Sequence, residues 1–144
     1  MNNTKIVYFT RSGNCKRIAE SIAGGTGGQL VEVKDNKNWK GFFGFLKGGY
    51  YATRNKEVEI YLIGEIGSED DLVVVSPVWA SGMPPAIRMF LKDKRRDDIS
   101  LVISASGSSV NDKDGFKKVY EISQANGNES EVIDSIIGDL SVGS

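Results

Sequence analysis

The sequence predicts an α/β fold: one open sheet of parallel strands with helices wound over both faces, the architecture in which ligands sit beyond the carboxyl ends of the strands. Three observations carry this expectation. Four short apolar runs, 5–9, 30–33, 72–75 and 100–103, alternate with helical patterns. Three of the runs are nearly continuous in apolar residues, which suits strands covered on both faces better than the alternation of a half-exposed sheet. Each of the loops that carries the candidate site residues follows a strand.

Taken in order, the run 5–9 is the first strand. The helix behind it places Cys15, Ile18, Ala19, Ile22 and Ala23 on one face and is expected to stop at Gly24 and Gly25. After the strand 30–33, Trp39, Phe42, Phe43, Leu46 and Tyr50 recur at spacings of three and four, the pattern of a helix packed under the sheet, weakened by Gly41, Gly44, Gly48 and Gly49. Pro84 and Pro85 after the strand 72–75 open a third helix, which buries Ile87, Phe90 and Leu91 and carries Lys92, Lys94, Arg95 and Arg96 at its negative end. Beyond the strand 100–103, residues 115–124 read as a fourth helix. The tail supports two patterns. Val132, Ile133, Ile136, Ile137 and Leu140 fit one helical face, yet a sheet of this length wants a fifth strand there. Topology favours an edge strand over 132–137, with the closing helix short or absent.

The chain has 144 residues, 40% of them hydrophobic and 26% charged, which fits a single globular domain over 1–144. A formal net charge of -1 gives no general attraction for nucleic acid or an anionic membrane. The absence of histidine and the presence of one cysteine exclude imidazole bases, Ser-His or Cys-His pairs, His/Cys zinc sites and any intramolecular disulfide. No apolar run approaches the roughly 20 residues needed to cross a bilayer, and no basic-then-apolar leader opens the chain, so a cytoplasmic location is expected.

The loop Thr10-Arg11-Ser12-Gly13-Asn14-Cys15 joins the first strand to the first helix. Such a turn aims unpaired main-chain N–H groups, and about half a positive charge, at whatever lies beyond it. One reading is an anion site, with Gly13 permitting close approach and Thr10, Ser12, Asn14 and Cys15 as further donors. The other is an ordinary helix cap provided by Ser12 or Asn14. Cys15, without a histidine, reads as packed or accessory rather than nucleophilic. Alternative anion loops fail on their letters. No Gly-Lys is followed by Ser or Thr as a mononucleotide loop needs. Gly24-Gly25-Thr26-Gly27-Gly28 lacks the third dinucleotide glycine, and Ser21 stands where a cysteine phosphatase would need arginine.

The same loop resembles that of the flavodoxin-like family, whose Thr/Ser-x-Thr/Ser-Gly-x-Thr/Ser turn holds the phosphate of FMN; Cys15 is the departure from that pattern. A second segment, Ser76-Pro77-Val78-Trp79-Ala80-Ser81-Gly82-Met83-Pro84-Pro85-Ala86, is similar to the family loop that flanks the isoalloxazine ring. The likeness runs from Lys5 to about Gly107. It implies a three-layer αβα fold with five parallel strands in the order 2-1-3-4-5, and FMN as cofactor. It also implies phosphate contacts from Thr10, Arg11, Ser12, Gly13, Asn14 and Cys15, and ring contacts from Pro77, Val78, Trp79, Ala80, Ser81 and Gly82. Ser106 and Gly107 would meet the pyrimidine edge, although a plain surface turn is the competing reading there. Trp79, in a loop expected to face solvent, would cover one ring face as an exposed indole; the competing reading folds it back over the third helix. The function implied is electron transfer between unidentified redox partner proteins. The alternatives are an NAD(P)H-dependent FMN or quinone reductase on the same fold, and a module of this fold with weak or lost flavin binding.

Overall fold

The apolar runs become strands whose alternate side chains divide the molecule into two faces. The computed structural model describes residues 3–10, 13–35, 60–79, 82–106 and 113–142. Its elements are β1 (Thr4–Tyr8), α1 (Asn14–Thr26), β2 (Gln29–Asp35), β3 (Ile60–Ile63), β4 (Asp71–Pro77), α2 (Pro85–Leu91), β5 (Ile99–Ala105), β6 (Lys118–Ser123) and α3 (Glu129–Val142), with a 3-10 turn at Arg96–Asp98. No helix among the described residues is long and apolar enough to cross a membrane.

The strands form one sheet in the order β3-β2-β1-β4-β5-β6. β2, β1, β4, β5 and β6 run parallel. β3 returns antiparallel along the outside of β2, pairing Lys34 with Tyr61 and Glu32 with Ile63. The sheet therefore has a sixth, antiparallel edge strand that the expected five parallel strands did not include. In β1 and β4 register pairs Ile6 with Val73 and Val7 with Val74, so like faces align across the sheet. Ile6, Tyr8, Val73, Val75 and Val102 point to α1 and α3, where they pack with Ile18, Ile22, Ile133 and Ile136. Val7, Phe9, Val74, Leu101 and Ile103 point the other way, against Ala86, Ile87 and Phe90 of α2. Full burial of such side chains contributes about 1.5–3 kcal/mol each, and this explains why the strands read as continuous apolar runs.

Two expectations for the second half of the chain are corrected. Residues 118–123 form β6, not a helix, and 132–137 lie inside the 14-residue α3, not in an edge strand. In β6 the side chains split by a period of two: Val119 packs on the α2 face, and Tyr120 and Ile122 on the α1/α3 face. The 3–4 spacing of Val132, Ile133, Ile136, Ile137 and Leu140 was the true signal of the tail, and all five pack against the α1 side of the sheet. The closing helix, expected to be short or absent, is thus present and spans Glu129–Val142. Asp139 on α3 ties it back to β6 by accepting from Lys118 Nζ and Tyr120 OH, each at 2.6 Å.

α1 also runs past its expected stop, through Gly24 and Gly25 to Thr26, and ends at Gly27, where φ is 74° and the N–H bonds to Ala23 O. Gly25 serves packing instead. A Cβ built there would lie 2.9 Å from Ile137 Cγ1, so the glycine lets α1 and α3 approach closely. The aromatic helix expected around Trp39 to Tyr50 lies outside the described residues.

Candidate functional site

From β1 the chain passes to β2 on one side, while β4, on the other side of β1, begins the run to β5 and β6. The sheet thus reverses its winding between β1 and β4, the crevice where open α/β sheets place ligands. The carboxyl ends of β1, β4 and β5 lie side by side at that edge, and the segments that follow these three strands carry every predicted site residue.

At the first loop, Thr10 Oγ1 accepts the Gly13 N–H at 2.8 Å, closing a short turn. Gly13 adopts φ 96°, a conformation costly for any side chain, and occupies the helix cap without a side chain to offer. The first intrahelical bond runs from Arg17 N to Gly13 O at 3.0 Å. The N–H groups of Asn14, Cys15 and Lys16 consequently have no acceptor among the described residues, and no acidic residue occupies the first turn. Such a donor set matches a phosphate: several N–H groups, a favourable helix dipole and a backbone bare of Cβ at the point of approach.

Cys15 faces inward. Its side chain is 2% exposed, among Tyr8, Ile18 and Ile22, and burial pushes its thiol up to about 12, with Arg17 acting weakly in the opposite direction. The thiol is therefore a packed group, and what Cys15 offers the loop is its main-chain N–H.

Arg17, one turn into α1, is the residue that sequence reasoning missed. Its guanidinium forks onto Glu129 at the start of α3, with Nη2 to Oε1 at 2.6 Å and Nε to Oε2 at 3.1 Å. Its Nη1 donates to Asn14 Oδ1 at 2.8 Å. Glu129 also accepts from Gln124 Nε2 at 2.9 Å, and the Arg17 hydrogen bond holds its carboxyl below the usual carboxylate range. The spacing of Asn14 and Arg17 on one helix was a visible hint; Glu129, 112 positions away, was not.

In the second loop, Pro77 closes β4 and Val78 packs partly buried on the α2 face. Trp79 corrects the expectation of an exposed indole. It is 9% exposed and meets Phe9 edge to face, with ring centroids 5.5 Å apart and planes at 72°. Its backbone pairs with Gly82, N–H to O at 2.8 Å one way and 3.0 Å the other, which commits the amides of both residues to each other. Ser106 is exposed after β5, and its carbonyl accepts from Ala125 N at 2.8 Å and Ser123 Oγ at 3.2 Å. Arg11, Ser12, Ala80, Ser81 and Gly107 lie outside the described residues. A cavity of about 520 Å³ opens at the opposite, amino end of the sheet, lined by Leu62, Ile66, Asp70, Leu72, Arg95 and Ile99, and no predicted site residue takes part in it.

No family profile and no curated protein matches the chain. Solved structures do. A flavoprotein from Lactobacillus acidophilus NCFM, crystallised in complex with FMN, superposes with a TM-score of 0.67 over 90% of this chain and 99% of its own, at 22% identity. A protein from Bacteroides uniformis ATCC 8492 described as a flavoprotein gives 0.69 at 19% identity, over 94% of this chain and 97% of its own. One from Bacteroides eggerthii DSM 20697 gives 0.67 at 16% identity, over 94% and 98%. The fold is flavodoxin-like. Leaving aside the antiparallel β3, the flavodoxin-like order survives in the parallel strands β2-β1-β4-β5-β6, with its winding reversal between β1 and β4. The flavodoxin-like fold thereby accounts for the three strand ends lying together, whereas the residues that follow them are this chain's own.

Proposed function

We propose that this protein binds FMN at the carboxyl edge of its sheet and serves as a cytoplasmic electron carrier between redox partner proteins. The observation that carries the reading is the uncapped first turn of α1, three N–H groups and a bare Gly13, placed at the β1/β4 reversal next to the Trp79 loop. The flavoprotein neighbours, one of them holding FMN, support it.

In this reading Thr10, Ser12, Gly13, Asn14 and the N–H groups of Asn14 to Lys16 hold the phosphate. Arg11 stands in that same phosphate loop, Pro77, Val78, Trp79, Ala80, Ser81 and Gly82 frame the ring, and Ser106 and Gly107 approach its pyrimidine edge. FMN, when bound, supplies the redox chemistry. The chain's part is to orient the group and exclude water from one side of it, work that needs no histidine. Trp79, packed on Phe9, offers a stiff wall rather than a mobile cover.

Titration of free FMN with the purified protein should quench flavin fluorescence and transfer the yellow colour to the protein fraction. Unquenched fluorescence with colourless protein would remove flavin binding altogether. The net charge of -1 favours a second reading, since the chain lacks the strong overall acidity that helps a carrier dock to basic partners: NAD(P)H-dependent reduction of FMN or a quinone. Bleaching by NAD(P)H alone supports the reductase; bleaching only with an added partner reductase supports the carrier.

A further inference from the structure

We infer that Arg17 is a positioning residue for FMN: anchored on Glu129, it fixes the Asn14 carboxamide so that the NH2 is presented to the flavin phosphate. The inference rests on the reading that FMN binds here.

A guanidinium has donors and no acceptor, so the atom of Asn14 that faces Arg17 Nη1 at 2.8 Å must be the carbonyl oxygen Oδ1. Nδ2 is thereby turned away from Arg17, and among the described residues it donates to no partner. It belongs to the same helical turn whose three N–H groups lack acceptors. One more donor of fixed direction is added to that set.

The fixed direction depends on tertiary structure. Arg17 alone, with a side chain 50% exposed, would sample many rotamers; the forked contact to Glu129, together with Gln124 Nε2 on the same carboxylate, selects one. Glu129 also cancels the charge of Arg17, so the contribution to phosphate binding is directional rather than one of added net charge. This relay makes α3, the helix after β6, part of the phosphate loop although α3 itself supplies no ligand.

The test is a double-mutant cycle on the full chain, read as the Kd of FMN and of riboflavin, which lacks the phosphate, in wild type, Arg17→Met, Asn14→Ala and the double variant. Far-UV circular dichroism and the riboflavin Kd report whether the fold is intact. The expected result is a rise of about five- to tenfold in the FMN Kd of Arg17→Met with riboflavin unchanged, and no further effect of Arg17→Met once Asn14 is alanine. An unchanged FMN Kd in Arg17→Met overturns the relay while leaving flavin binding intact. So does a rise of equal size in the Asn14→Ala background, which would make Arg17 a direct counter-ion. So does an equal loss for riboflavin, which marks a structural role. A wild-type chain that binds neither flavin overturns both this inference and the function it rests on.

Discussion

Phe9 and Trp79 meet edge to face across the β1/β4 reversal, 5.5 Å between centroids, and this contact joins the root of the loop expected to hold the phosphate to the loop expected to flank the ring. Phe9 is the last apolar residue before Thr10, so the two candidate loops share one aromatic hinge point. Trp79→Ala should cost about 3–5 kcal/mol, the range for a large buried aromatic, and raise the FMN Kd by about tenfold. Urea denaturation and flavin titration check the two effects. A stability unchanged within error would contradict the packed position of the indole, and an unchanged Kd would remove Trp79 from the ring wall.

Cys15 should be inert while the protein is folded. Because burial raises its thiol to about 12, an aromatic disulfide reagent at pH 8 should label it slowly in native protein and rapidly in urea. The same shift sets a pH dependence. Below about pH 9 the thiol is protonated in both states and contributes nothing to the slope; between about 9 and 12 only the unfolded chain ionises, so stability falls as pH rises through that window. Cys15→Ala should flatten the fall, as measured by urea midpoints across that range.

Gly25→Ala pits two effects against each other. Alanine gains about 1 kcal/mol of helix propensity over glycine. Its Cβ, 2.9 Å from Ile137 Cγ1, overpacks the α1/α3 contact at a cost of about 1–3 kcal/mol. Net destabilisation is expected, and Ile137→Ala in the same chain should relieve it. Additive effects of the two substitutions in thermal or urea unfolding would show that the helices do not meet at this point.

The Arg17–Glu129 pair, half exposed on its arginine side, should contribute under about 1 kcal/mol to stability. Glu129 has its carboxyl held below the usual range, so this contribution is present above ordinary carboxylate pKa values and is lost as pH falls through the depressed one. Glu129→Ala should therefore lower the urea midpoint slightly at pH 7 and not at acid pH. A loss of several kcal/mol would mean that α3 depends on this contact for its docking.

Position in the sheet could be read from residues only where burial on both faces forced a continuous apolar run, as in β1, β4 and β5. β6, at the parallel edge, is covered less and carries Lys118 and Glu121 among its apolar residues, and the expectation of a topological fifth strand then displaced the helical spacing of α3. β3 was invisible for a related reason: its four residues are partly or largely exposed, with Tyr61 and Ile63 over half exposed, so no burial pattern marks it.

By itself the sequence determined the α/β class, the first loop with its glycine and hydroxyl groups, and the helix after Pro84 and Pro85, because these follow from local periodicity and local backbone chemistry. Only the tertiary structure decided that the Trp79 indole lies on Phe9, that the Cys15 thiol is sealed in the core, and that Arg17 joins Asn14 to Glu129. Each of these depends on which surfaces face one another after the strands have paired, and a side chain takes its environment from partners far along the chain that no short-range pattern can encode.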